Sequence, residues 1–121
     1  MITIIPESHL ITATAFGEFT LADFQEFEAA ALKALTDHKK PNLLFDLREM
    51  IGYTIDVAWE EIRFSRQHSA DFPKIAIVTK DQWMIWSAWI SQLFVESDVE
   101  VFESIEHAQA WVNNELIDNG V

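Results

Sequence analysis

Polar residues that could bind a ligand follow two short apolar runs, NLLF and KIAIV. They are Asp46, Arg48, Tyr53 and Thr54 after the first run, and Thr79 and Asp81 after the second. If both runs are parallel strands, these residues meet at the carboxyl edge of a sheet, where open α/β proteins bind ligands. They could line a shallow site there. The alternative is structural: Asp46 accepts backbone hydrogen bonds and Arg48 pairs with an acid. We favour this alternative.

The residue types needed for metal binding or catalysis do not converge in the sequence. Histidines stand far apart, at His9, His38, His68 and His107, and the nearest local pair, His68 with Asp71, straddles a predicted helix end. A metal site needs ligands that share one face or converge from neighbouring elements. There is no cysteine, no G-x-S-x-G or H-E-x-x-H motif and no glycine-rich phosphate loop. We therefore predict no enzyme activity, no metal and no cofactor.

Length and charge limit the remaining classes. The chain has 121 residues, half of them apolar, which predicts one domain over residues 1–121 with a sizeable core. A net charge of −12 repels nucleic acid and anionic lipid. No apolar run is long enough to span a bilayer, and no signal peptide precedes the first strand. We expect a cytoplasmic protein without stable membrane insertion.

The elements that must position these residues follow the order ββαβαβαβα. Strands are predicted at residues 2–5, 9–16, 42–47, 73–79 and 99–102, with 48–54 as a loop. Helices are predicted at 21–35, 57–69, 82–94 and 105–116, with N-caps at Thr20, Asp56, Asp81 and Ser104. Asp23 completes a capping box with Thr20. Helices that separate short apolar strands predict an α/β fold with a mixed, mostly parallel five-stranded sheet and four helices.

Several residues in this order also resemble a known family. They are Asp46 at a strand end, Gly52, His68, Phe72, residues 74–78 (KIAIV), Trp83, and Ala110 with Trp111. The pattern is similar to the STAS superfamily of sporulation anti-sigma-factor antagonists, and closest to its SpoIIAA-like branch of small stand-alone proteins. The resemblance implies a non-catalytic binding or regulatory module that acts by protein–protein contact. The group is also similar in fold to CRAL-TRIO lipid-transfer domains, which enclose an apolar ligand.

One feature of the superfamily is missing from this sequence. Antagonists regulated by phosphorylation carry an Asp-Ser pair at the start of the second helix. This chain reads IGYTIDVAW there, so Tyr53 and Thr54 are the nearest hydroxyl groups. The resemblance therefore does not imply the phosphorylation switch for this chain.

The second predicted helix has one face of small residues. Ala58, Ile62, Ser65 and Ser69 share that face at helical spacing, and Phe64 lies on the opposite side. If the small face packs inward, Phe64 is left at the surface.

The third predicted helix, DQWMIWSAWISQLF, is apolar nearly all round. Its inward stripe holds Trp83, Trp86, Trp89, Ile90, Leu93 and Phe94, and its far side holds Met84, Ile85 and Ala88. The far side needs a cover, which the second helix, a partner chain or an apolar ligand could supply. We predict a homodimer through this helix and the Phe64 face.

The alternative is a carrier or sensor of a small apolar, lipid-like ligand. Its pocket would lie between the second and third helices and the sheet. The predicted ligand or partner surface comprises Asp46, Tyr53, Thr54, Trp59, Phe64, Trp83, Met84, Trp86 and Trp89.

Overall fold

A five-stranded mixed sheet forms the centre of the fold. The computed structural model describes residues 1–7, 9–37, 40–68, 71–80 and 98–113, with only the backbone of 55, 57–59 and 65. The strands are β1 (Ile2–Pro6), β2 (Leu10–Phe19), β3 (Asn42–Tyr53), β4 (Lys74–Val78) and β5 (Asp98–Phe102). They lie in chain order; β1 is antiparallel to β2, and the other neighbours are parallel. The predicted mixed, mostly parallel sheet is confirmed.

The described helices cover the two faces of the sheet unequally. On the first face, α1 (Leu21–Thr36) and α2 (Ile55–Gln67) join a core that includes Ile11, Ala13 and Leu43. On the second face, α3 (Ile105–Val112) packs on β3, β4 and β5, against the cluster Leu10, Leu44, Ala76 and Val78. The helix predicted at 82–94 lies outside the described residues.

Helix α1 begins at the predicted capping box. The backbone N–H of Asp23 donates to Thr20 Oγ1 at 3.3 Å, and the backbone N–H of Thr20 donates to Asp23 Oδ2 at 3.1 Å. Two N–H groups at the start of the helix are thereby satisfied. Phe24, Phe27 and Ala31 then follow at helical spacing and are buried against the sheet.

Strand β3 is longer than predicted, and the loop expected at 48–54 is mostly strand. β2 continues past Gly17, which adopts a positive φ of 65°, as far as Phe19, so β3 has a hydrogen-bonding neighbour up to Tyr53. Glycine takes this conformation without the steric cost that a side chain would add. Because the strand extends so far, α2 begins at Ile55 with Thr54 as its N-cap, and the prediction of Asp56 as N-cap was wrong.

The expectation of a surface-exposed Phe64 is also wrong, because its side chain is only 2% exposed. Its ring lies 5.8 Å from that of Phe24, 5.7 Å from that of Phe27 and 5.9 Å from that of Phe72. Burying a large aromatic side chain among other rings gains more than burying small ones. The Phe64 side of α2 therefore faces the core.

Candidate functional site

Asp46 and Arg48 bind each other at the carboxyl end of the β3–β4 pairing. The Asp46 carboxylate accepts three hydrogen bonds from Arg48: backbone N–H at 3.2 Å, Nε at 2.9 Å and a terminal guanidinium nitrogen at 2.8 Å. The hydrogen bonds that its guanidinium donates to Asp46 raise the pKa of Arg48, and the nearby charges of Glu106 and Glu49 act in the same direction. Asp46 is buried and Arg48 is partly exposed. The pair serves the structural role that we favoured from sequence.

The pairing of β2 with β3 is irregular twice: once at Arg48 of this ion pair, and once three residues later. Two β3 residues, Leu47 and Arg48, stand against Ala15 alone, and Ile51 is an extra residue opposite the step from Gly17 to Glu18. Such bulges bend a strand and redirect its side chains. One result is that Ile51 is 78% exposed, although it lies within a strand.

The end of β3 leads directly into α2. Tyr53 is half-buried and packs against the first-face core, and it aligns with Phe19 on β2. The backbone N–H of Thr54 donates to the carbonyl of Phe19 at 3.1 Å, and its hydroxyl donates to the Asp56 carboxylate. We call Asp46, Arg48, Ile51, Tyr53, Thr54 and Asp56 the strand-end surface. Of the predicted site residues, Tyr53 and Thr54 are adjacent here, whereas Asp46 lies seven residues before Tyr53 on the extended strand, at the end of the β3–β4 pairing.

His68 is held at the end of α2 by a neighbour rather than aimed at a ligand. Its Nδ1 lies 2.7 Å from an Asp71 carboxylate oxygen, and its ring lies 4.7 Å from that of Phe64. Within the described part of the chain, no three side chains of the metal-binding types are grouped so that they could hold an ion.

Sequence reasoning missed a buried acid on α2. Glu61 is 6% exposed, and its Oε2 atom is buried without a hydrogen-bond partner. Burial raises the pKa of the Glu61 carboxyl to about 8, because the charged form loses its water. Glu61 lies one helical turn before Phe64, so placing the Phe64 side inward would have placed Glu61 inward as well.

A pair of acids, Glu28 and Glu60, joins α1 to α2. Two causes raise the pKa of Glu28 to about 7: burial, which is the larger, and a hydrogen bond with Glu60. Glu60 also accepts from the Arg63 guanidinium, which lowers the pKa of Glu60. The proton shared by the two carboxyls therefore resides on Glu28. Such pairs concentrate at functional sites but also occur in structural networks.

The other predicted site residues lie outside this description. Trp83, Met84, Trp86 and Trp89 fall among the residues that are not described, and so does the side chain of Trp59. Their proposed role in an apolar pocket or dimer contact stays a prediction. In the described part of the chain, no helix combines the length and apolar character needed to cross a membrane.

Known structures share this architecture. An uncharacterised DUF3478-family protein from Shewanella loihica PV-4, with a SpoIIAA-like fold, aligns with a TM-score of 0.73 and 22% identity, covering 93% of this chain and 92% of that one. An anti-sigma factor antagonist from Mycobacterium paratuberculosis aligns with a TM-score of 0.59 and 10% identity, covering 93% of each chain. At these identities the likeness concerns the fold alone.

A comparison with curated proteins finds no match. In contrast, the profile of the SpoIIAA-like family matches residues 10–113, from the start of β2 to just after α3. The matched region contains the β2–β3 bulges, the ion pair of Asp46 with Arg48, and α2. The chain belongs to the SpoIIAA-like family.

Proposed function

We propose that this protein is a non-catalytic regulatory module that acts by binding another protein through its strand-end surface. Its polar groups there are bound to one another: Arg48 to Asp46, and Thr54 to Asp56. The apolar side chain of Ile51, by contrast, is 78% exposed. An exposed apolar side chain among internally paired polar groups suits contact with a protein better than it suits a reaction. This contrast is the observation that carries the proposal.

Family and fold support the same class. The SpoIIAA-like family gives the proposal its regulatory character, and one structure with the same fold is an anti-sigma factor antagonist. The surface predicted from sequence combined Asp46, Tyr53 and Thr54 with residues of the second and third predicted helices. The strand-end surface contains the first three of these residues.

Affinity purification from the protein's own host, followed by quantitative mass spectrometry, tests the proposal. Wild type is compared with Ile51→Asp and with Leu32→Asp, which alters a 41%-exposed leucine on α1 as a matched control. We expect a co-purifying protein that Ile51→Asp loses and Leu32→Asp retains. Equal recovery with all three chains would contradict a role for this surface.

The predicted homodimer and the lipid-carrier alternative both depend on the 82–94 segment. Burial of Phe64 removes one side chain on which the predicted dimer contact relied. Sedimentation at tens of micromolar tests the dimer: a single-chain mass contradicts it. Native mass spectrometry of the purified protein tests the carrier: a clean mass without bound lipid contradicts it.

A further inference from the structure

Among the described residues, helix α3 covers only the β3–β5 half of the second sheet face. Along β2, Ile11, Ala13 and Ala15 point into the first-face core, so Thr12, Thr14 and Phe16 point the other way. Ile2 and Ile4 on β1 pack against the same core, which turns Met1, Thr3 and Ile5 to the second face. Strand pairing sets Met1 beside Phe16, Thr3 beside Thr14 and Ile5 beside Thr12. We call these six residues the open face.

The open face is apolar at its ends. Met1 is 76% exposed, Ile5 54% and Phe16 38%; Thr3 and Thr14 lie between the two ends, and Thr12 lies beside Ile5. Helix α3 packs on β3, β4 and β5, on the other half of the same sheet face. Exposed apolar side chains that neighbour one another on a sheet face mark a candidate contact surface.

Acidic groups border this surface where Phe16 lies. Glu49 on β3 aligns with Phe16 and is exposed, and Glu18 follows Phe16 on β2. The neighbouring cation Arg48 is held by Asp46, and the Met1 amino group lies 2.9 Å from Asp23 Oδ2. The apolar residues therefore adjoin carboxylates, in a chain whose net charge is −12.

We propose that the open face docks a protein segment in which apolar side chains are flanked by Lys or Arg. The apolar side chains would cover Ile5 and Phe16, and the cations would meet Glu49 and Glu18. A second copy of this chain fits this face poorly, because each copy would bring its own Glu49 and Glu18 to the same contact. The inference rests on the proposed protein-binding function, and it adds the partner's chemistry and a second contact surface.

The test selects a displayed library of random peptides of about twelve residues on the immobilised full chain. Recovered peptides are then titrated against Ile5→Thr/Phe16→Thr, which removes the apolar groups but keeps strand-forming residues. Glu49→Gln tests the charge, Ile51→Asp tests the strand-end surface, and Leu32→Gln, on α1, is the matched control. Circular dichroism and thermal melts establish that each variant is folded.

We expect recovered peptides to combine Lys or Arg with apolar residues and to bind more weakly as salt increases. The Ile5→Thr/Phe16→Thr chain should weaken binding by about tenfold or more, as loss of a contact centre does. Glu49→Gln should weaken it less, and Leu32→Gln should leave it unchanged.

Three results would overturn the inference. One is an empty selection, and another is peptide binding that Ile5→Thr/Phe16→Thr leaves unchanged. The third is a doubled sedimentation mass that this double variant abolishes, which would make a second copy the occupant. If peptides lose affinity only with Ile51→Asp, the open face is refuted while the proposed function stands. The proposed function is contradicted separately, if affinity purification from the host recovers no protein that depends on Ile51.

Discussion

Glu61 makes the stability of this protein depend on pH in an unusual direction. The raised native pKa of about 8 compares with an ordinary value of 4.5, so between these values the native state binds more protons than the unfolded state. The contribution of Glu61 to the free energy of unfolding is therefore largest at low pH, and it decreases as the pH rises towards 8. Replacing Glu61 by glutamine, which is neutral and nearly isosteric, removes this dependence.

The magnitude follows from the shift. Each pH unit in this range costs about 1.4 kcal/mol, so from about pH 5 to pH 7.5 wild type should lose about 3 kcal/mol relative to Glu61→Gln. We assume that the free energy of unfolding falls by about 1.5 kcal/mol per molar urea. The urea midpoint of wild type should then fall by about 2 M relative to that of Glu61→Gln over this pH range. The amide that this substitution introduces has its own burial cost, but that cost does not vary with pH.

Urea unfolding of both chains across this pH range is the assay. Glu26→Gln, which removes an exposed carboxylate from α1, controls for the loss of one charge. Comparing chains at each pH cancels the contributions of all other titrating groups, Glu28 among them. Parallel curves for wild type and Glu61→Gln would refute the reasoning, because they would mean that the native carboxyl is hydrated or paired.

Three further predictions concern the core, the ion pair and the helix cap. Phe64→Ala should lower the free energy of unfolding by about 3–5 kcal/mol in urea unfolding, since it leaves a cavity among phenylalanine rings; a loss below about 1 kcal/mol would place Phe64 at the surface. Asp46→Asn should cost about 1–3 kcal/mol in wild type, and much less in an Arg48→Ala background; equal costs would show that the pair does not couple. Thr20→Ala should cost about 1 kcal/mol in thermal melts, and Thr36→Ala, at the other end of α1, clearly less; equal losses would contradict the capping box.

Much of the fold follows from local sequence signals. The continuous apolar runs of β3 and β4 indicate buried parallel strands, and Thr20 with Asp23 marks the start of α1 because that pair satisfies local N–H groups. Such features depend on neighbours in sequence, so the sequence alone predicts them.

The rest depends on contacts between distant residues. β3 extends to Tyr53 because β2 continues through Gly17 beside it, and residues 48–54 contain no local signal of that pairing. The orientation of α2 was misjudged because its small face suggested close packing, whereas in the structure Phe64 packs against the phenylalanines of α1 and against Phe72. Burial of Glu61 follows from that orientation, so it was missed for the same reason.

Site-specific photo-crosslinking tests the central claim, that this chain binds a protein through the strand-end surface. A photoreactive phenylalanine analogue replaces Ile51 in the host, and Leu32 on α1 in a parallel strain, and adducts are identified by mass spectrometry. We predict a discrete adduct with one protein from position 51 that is absent from position 32. The same adducts from both positions, or none from position 51, would contradict the claim.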